Sequence, residues 1–273
     1  MATTRIVLDQ LPPAARTAVE EHTGPLLTVE EATEGFNSEI AARVTSAAGT
    51  WHVKGLRTDH PRAWTQHREA TVAPFLTGLA PSLRWHVETA GWDLLGFEAL
   101  TGHHAVYAPG SPDLPEVASL LRRLGDAPCP GIELRRAEQR LERYAVHPDD
   151  LHFFAGPHLL HTDLNNTNVL VDDDAPAGER ARLVDWAWAT RGAAWLDAGY
   201  WVIWLIASGH TPASAEHRAA EIPSWHTAPA EGITAFAAAN ANVWSEISSA
   251  DPDPWTQRLA AAATAWHVHR SGG

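Results

Sequence analysis

The hydrophobic period of this chain changes once, across Gly102–Pro112. Upstream, apolar residues come in short runs bounded by turn formers. Leu26–Glu31, Ile40–Val44, Trp51–Leu56, Arg84–Ala90 and Trp92–Thr101 read as strands. A short helix is expected at Ala14–His22, and another over residues 61–78, with Pro61 near its start, a break at Pro74 and Gly78 after its end. From Asp113 the period becomes helical. Leu114–Leu124, Leu134–Val146, Ala194–Ser208, Pro212–Ala220, Ala230–Ser248 and Trp255–His269 read as helices. The exceptions are two short strands, Asn168–Val171 and Ala181–Asp185, around an acidic turn. Strands gathered before helices predict an α+β arrangement of two lobes, residues 1–101 and 102–273.

Composition narrows the function classes. A chain of 273 residues with 45% apolar and 19% charged residues can bury a sizeable core. A formal net charge of −13 argues against nucleic acid or an anionic membrane as partner, since both need a basic face. The single cysteine, Cys129, permits no internal disulfide and no zinc-finger spacing, which fits a reducing cytoplasm. The N-terminus lacks a basic segment followed by an apolar run, the pattern of a signal peptide. The most apolar stretch, Ala198–Ser208, is too short to span a bilayer and reads as a core helix. The 16 histidines include no His-Glu-x-x-His, so the zinc-hydrolase pattern is absent. Of the 20 basic residues only Lys54 is a lysine, and it sits in an expected strand.

The segment Leu160–Val171 places His161, Asp163, Asn165, Asn166 and Asn168 between two apolar stretches. An apolar strand after a polar loop sets that loop at the rim of a sheet. Asp163 and Asn168 are five residues apart, so one turn can bring them together. Asp185 follows seventeen residues after Asn168, at the expected end of the next strand. Asparagine and aspartate oxygens are hard ligands suited to Mg2+, which leaves positions open for phosphates. A further carboxylate, Asp163, can accept a proton from an attacking hydroxyl.

These residues match the kinase pattern His-x-Asp-x-x-x-x-Asn followed by a metal-binding aspartate. The stretch His161–Ala198 more closely resembles the aminoglycoside phosphotransferase family, through His161 to Asn168, Val184-Asp185-Trp186, Gly192 and Asp197-Ala198. The resemblance implies a protein-kinase-like two-lobed fold, with an antiparallel N-terminal sheet carrying one helix and a mostly helical C-terminal lobe. It implies ATP and Mg2+ as cofactors, Asp163 as catalytic base, and Asn168 and Asp185 as metal ligands. Lys54 would contact the α- and β-phosphates and pair with Glu69 on the following helix. Asn37 or Ser38 would help to cradle the phosphates. The Glu98 carbonyl and the Leu100 amide would bind adenine. Asp197 is expected to brace the polar loop by hydrogen bonds. The chain departs from protein kinases in having Gly35 alone in the phosphate-covering turn and Ala187 two residues after Asp185.

The function implied is transfer of the γ-phosphoryl group of ATP to a hydroxyl of a small molecule. The alternative is a non-catalytic nucleotide-binding module, a pseudokinase, which usually lacks one of the four residues Lys54, Asp163, Asn168 and Asp185. The acceptor stays open between an aminoglycoside-like antibiotic and another alcohol, sugar or natural product. From Thr211 onward six acids face three arginines, and Trp225, Trp244, Trp255 and Trp266 suggest an apolar or aromatic-walled site rather than a polycation trap.

Overall fold

The computed structural model describes residues 5–32 and 38–272. The chain divides into two compact units, residues 1–101 with 184–187, and residues 102–183 with 188–273.

In the first unit, helix α1 (Pro13–Thr23) precedes β1 (Leu26–Glu31), β2 (Ile40–Ser46) and β3 (Gly49–Arg57). Helix α2 (Ala63–Val72) follows, tightening into a 3-10 turn at Ala73–Phe75 where Pro74 removes a backbone donor. Strands β4 (Leu83–Thr89) and β5 (Trp92–Glu98) form a hairpin around Ala90 and Gly91. Both turn residues have positive φ, 51° and 77°, as a tight hairpin turn requires. The five strands make one antiparallel sheet in the order β1-β2-β3-β5-β4.

Alternation along these strands separates the two faces. Ile40, Ala42, Val44, Val53 and Leu94 are buried with Ala15 and Val19 of α1. Trp85 lies in the same cluster, directly opposite Gly96, where a Cβ would come within 2.0 Å of the indole. The other face is set by register. Ala41, Lys54 and Leu95 align across it, as do Arg43, His52 and Phe97.

The second unit opens with β6 (His103–His104), α3 (Leu114–Asp126), β7 (Arg135–Arg136) and α4 (Ala137–Leu141). Strands β8 (His158–Leu160), β9 (Val169–Val171), β10 (Ala181–Leu183) and β11 (Thr190–Gly192) come next. They form two small sheets, β10-β9-β6 and β7-β11-β8. Helices α5 (Leu196–Ala207), α6 (Pro212–Ala219), α7 (Ala230–Ala250) and α8 (Pro254–Ser271) complete the unit. Helices α6 and α8 start with ordinary capping chemistry. Thr211 Oγ1 accepts from the Ser214 amide at 3.2 Å, and Asp253 Oδ1 accepts from the amides of Trp255 and Thr256 at 2.6 and 3.1 Å. In the core, Phe236 of α7 meets Phe154, Trp195, Tyr200 and Trp266 edge-on.

The α+β class expected from the sequence is the class observed. Three local expectations are corrected. The helix expected over Leu134–Val146 is only Ala137–Leu141, because Arg135 and Arg136 pair in parallel with Thr190 and Arg191. The strand expected to reach Asp185 stops at Leu183, and Asp185 sits beyond it with φ of 62°. The connecting stretch after Gly102 contains β6, which pairs with β9. No described helix is long and apolar enough to cross a membrane.

Candidate active site

Lys54 reaches the sheet face that α1 does not cover. Its Nζ donates to both Glu69 oxygens, at 2.9 and 3.1 Å. Glu69 lies on the buried side of α2, a helix also held by Gln66, whose amide donates to the Asp93 and Lys54 carbonyls at 2.6 and 3.3 Å. Asp185 Oδ1 stands 4.0 Å from the same ammonium. Glu69 Oε1 accepts a second bond, at 3.4 Å, from the backbone amide of Trp186. One carboxylate thus fixes both the ammonium and the backbone just after Asp185. Burial disfavours the Lys54 ammonium, but Glu69 and then Asp185 outweigh it, and the lysine pKa is raised. His52, two residues before Lys54 on the same face, is pushed down to about 4 by burial and by the cations Lys54, Arg5 and Arg43.

In the second unit the polar loop joins β8 to β9. Asp197, buried at the start of α5, accepts from the amides of His161 and Thr162, both at 2.8 Å. That is the bracing expected of it. Thr162 has φ of 67°, a costly conformation for a β-branched residue, which the paired bonds hold in place. The Asp163 amide donates to His161 Nδ1 at 3.3 Å, and Asp163 Oδ1 accepts from the Asn165 amide at 3.4 Å. The buried Asn168 donates its side-chain NH2 to the Asp163 carbonyl at 3.2 Å. This bond fixes the Asn168 amide group and assigns its oxygen away from that contact.

The remaining sequence-derived residues fall into place unevenly. Asn37 lies outside the described residues, and Ser38 is buried just before β2. Glu98 ends β5, its amide donating to Ser82 O at 2.9 Å, and the Leu100 carbonyl accepts from Arg43 at 2.9 Å. Two residues escaped the sequence reading. Arg140 Nη1 donates to the hydroxyls of Thr162 and Thr190, both at 2.6 Å, tying the loop to β11. Tyr107 has a buried hydroxyl, and its pKa is raised well above the usual value by burial and by the charge of Asp163. Neither carries a spacing signal, since both act across the fold.

The C-terminal residues change their meaning. Trp225 and Trp266 are core side chains rather than cleft walls, whereas Trp244 and Trp255 cluster with Trp204. Glu216 accepts from Trp266 and pairs with Arg270, Glu246 pairs with Arg143, Glu221 pairs with Arg218, and Asp253 caps α8. Most of the six acids are therefore engaged within the protein. A separate cavity of about 670 Å³, bounded by His152, Phe153, Gly156, Ala193, Trp195 and Pro229, includes none of the residues singled out from the sequence.

No protein-family profile matches the sequence, and no curated protein matches it. Solved structures match over nearly the whole chain. The GDP complex of an aminoglycoside 2′-phosphotransferase-IIIa aligns with a TM-score of 0.62 at 12% identity, covering 93% of this chain and 98% of that one. Choline kinase LicA from Streptococcus pneumoniae gives 0.61 at 13% identity, with 93% and 99% covered. Aminoglycoside phosphotransferase APH(4)-Ia gives 0.58 at 12%, with 92% and 98% covered. The chain has the protein-kinase-like fold, an antiparallel sheet lobe followed by a helical lobe. Within that class its likeness is to the small-molecule phosphotransferase structures, as the stretch His161–Ala198 led one to expect.

Proposed function

We propose that this protein is an ATP-dependent phosphotransferase that moves the γ-phosphoryl group to a hydroxyl of a small molecule. The observation that carries the reading is the Lys54 ammonium, gripped by both oxygens of Glu69 with Asp185 4.0 Å away. A buried cation held between two carboxylates is a prepared phosphate site, since it keeps its charge and its position before any ligand arrives. The nucleotide complexes among the similar structures, with GDP and with AMP, support a nucleotide as ligand.

In this reading Lys54 orients the phosphates and Glu69 keeps it from drifting. Asp163 accepts the proton of the acceptor hydroxyl. Its place is set by the backbone bonds from Asp197 to residues 161 and 162 and by the link from Asn168. Asp185 and the Asn168 oxygen are the hard donors that would hold Mg2+, and their chemistry fits it. When bound, Mg2+ would neutralise charge on the phosphates. The Glu98 carbonyl and the Leu100 amide are assigned to the adenine, and Ser38 to the phosphate-covering turn. The acceptor is an alcohol that needs no dense carboxylate trap, because Glu216, Glu221 and Glu246 already have internal cations.

The test is ADP release, coupled to a dehydrogenase readout, across a panel of amino sugars, amino alcohols, sugars and other natural-product alcohols. Wild-type protein should turn over at least one acceptor, and Asp163→Asn should lower kcat on it by about 10²–10⁴-fold. Tight nucleotide binding with no acceptor-stimulated turnover would leave a binding module instead.

A further inference from the structure

Four side chains with metal-ligating atoms converge in the sheet unit, on residues that the reaction above does not use. His86 and Glu88 are two apart on β4 and so share a face, and Asp93 of β5 pairs directly with Glu88. His67 reaches the same face from α2. One ligand atom from each of the four lies within 4.8 Å of all the others. His86 Nε2 is 2.8 Å from Asp93 Oδ1, while His67 Nε2 is 3.8 Å from Asp93 Oδ2 and 3.7 Å from Glu88 Oε1.

Asp93 is the telling member. Its side chain is fully buried, and Oδ2 has no hydrogen-bond partner among the described residues. A buried carboxylate oxygen without a donor is destabilising. Its neighbour on that side is an imidazole nitrogen too distant for a hydrogen bond. Two atoms that each bind zinc at about 2.0–2.2 Å stand about 3.3–3.6 Å apart in a tetrahedral site. The two His67 Nε2 separations, 3.7 Å to Glu88 Oε1 and 3.8 Å to Asp93 Oδ2, lie just above that edge length, while His86 Nε2 holds the other Asp93 oxygen in a hydrogen bond of 2.8 Å.

We propose that His67, His86, Glu88 and Asp93 bind a divalent transition-metal ion of the zinc type. Two imidazoles select against Mg2+ and Ca2+, which take oxygen ligands. Four protein ligands leave no open position, so the ion is structural rather than catalytic. It joins α2 to the β4–β5 hairpin, beside the Gln66 bond to the Asp93 carbonyl. The site stands or falls independently of phosphoryl transfer.

The experiment uses the full chain stripped of metal by a chelator and then dialysed. Zinc chloride is titrated by calorimetry, and cobalt chloride by visible absorption. His67 and Glu88 are about half exposed, so His67→Gln and Glu88→Gln keep the fold, whereas the buried Asp93 is left alone. The expected result is one equivalent of zinc per chain and the intense visible bands of four-coordinate cobalt. Each variant should lose affinity by more than about tenfold. His103→Gln, which removes a histidine beside Asp113 and Asp173 in the other unit, should bind as wild type does. No saturable uptake by the wild type, or unchanged affinity in His67→Gln and Glu88→Gln, would overturn the proposal.

Discussion

The Lys54 ammonium and the Glu69 carboxylate are each nearly buried, so each depends on the other for its charge. Removing one partner of such a pair typically costs about 3–5 kcal/mol, because the survivor is left uncompensated. That dependence explains why an arginine-rich chain keeps one lysine here. A guanidinium is a wide planar fork and cannot occupy the slot of a compact ammonium. Burial, and then the same cation, leave a mark on His52. An unfolded histidine takes up its proton near the ordinary value of 6.5, whereas folded His52 stays neutral down to about 4. Between those values the unfolded state binds the extra proton. The contribution to stability is therefore present above pH 6.5 and is lost as the pH falls toward about 4. Denaturant unfolding at about pH 7 and about pH 4.5 should show a smaller acid-induced loss in His52→Gln than in wild type. Equal losses would mean that His52 is not held neutral in this way.

At the scale of elements, the polar loop depends on α5. The two oxygens of Asp197 each receive one backbone amide of the loop. Asp197→Asn replaces one acceptor by an NH2 group that faces a donor. Stability should fall by about 1–3 kcal/mol, and kcat should fall with little change in the KM for ATP, since Lys54 lies in the other unit. A larger rise in KM than fall in kcat would contradict a positioning role. The long helices were legible in the sequence because each extends over several turns of helix-forming residues. Strands of two or three residues carry no period: β9 and β10 were read from the acidic turn between them, whereas β6, β7, β8 and β11 have no such mark and were invisible. Arg135 and Arg136 read as helix because their partner strand lies more than fifty residues downstream. Asp163, Asn168 and Asp185 could be singled out because local spacing marks them, and Glu69 because the resemblance implies a partner for Lys54 on the following helix. Arg140, Tyr107 and the orphaned oxygen of Asp93 could not, since only the folded chain brings their partners near.

At the scale of the whole molecule, Lys54, Glu69 and Asp185 lie in the sheet unit, and Asp163 and Asn168 lie in the helical unit. One lysine in 273 residues makes the nucleotide assignment open to a direct chemical test. An amine-reactive ATP analogue, followed by peptide mapping with mass spectrometry, should label Lys54 besides the N-terminal amine. Excess magnesium-ATP should protect Lys54 and leave the N-terminus labelled. Labelling of Lys54 that magnesium-ATP does not slow would contradict the account, and the nucleotide site would lie elsewhere.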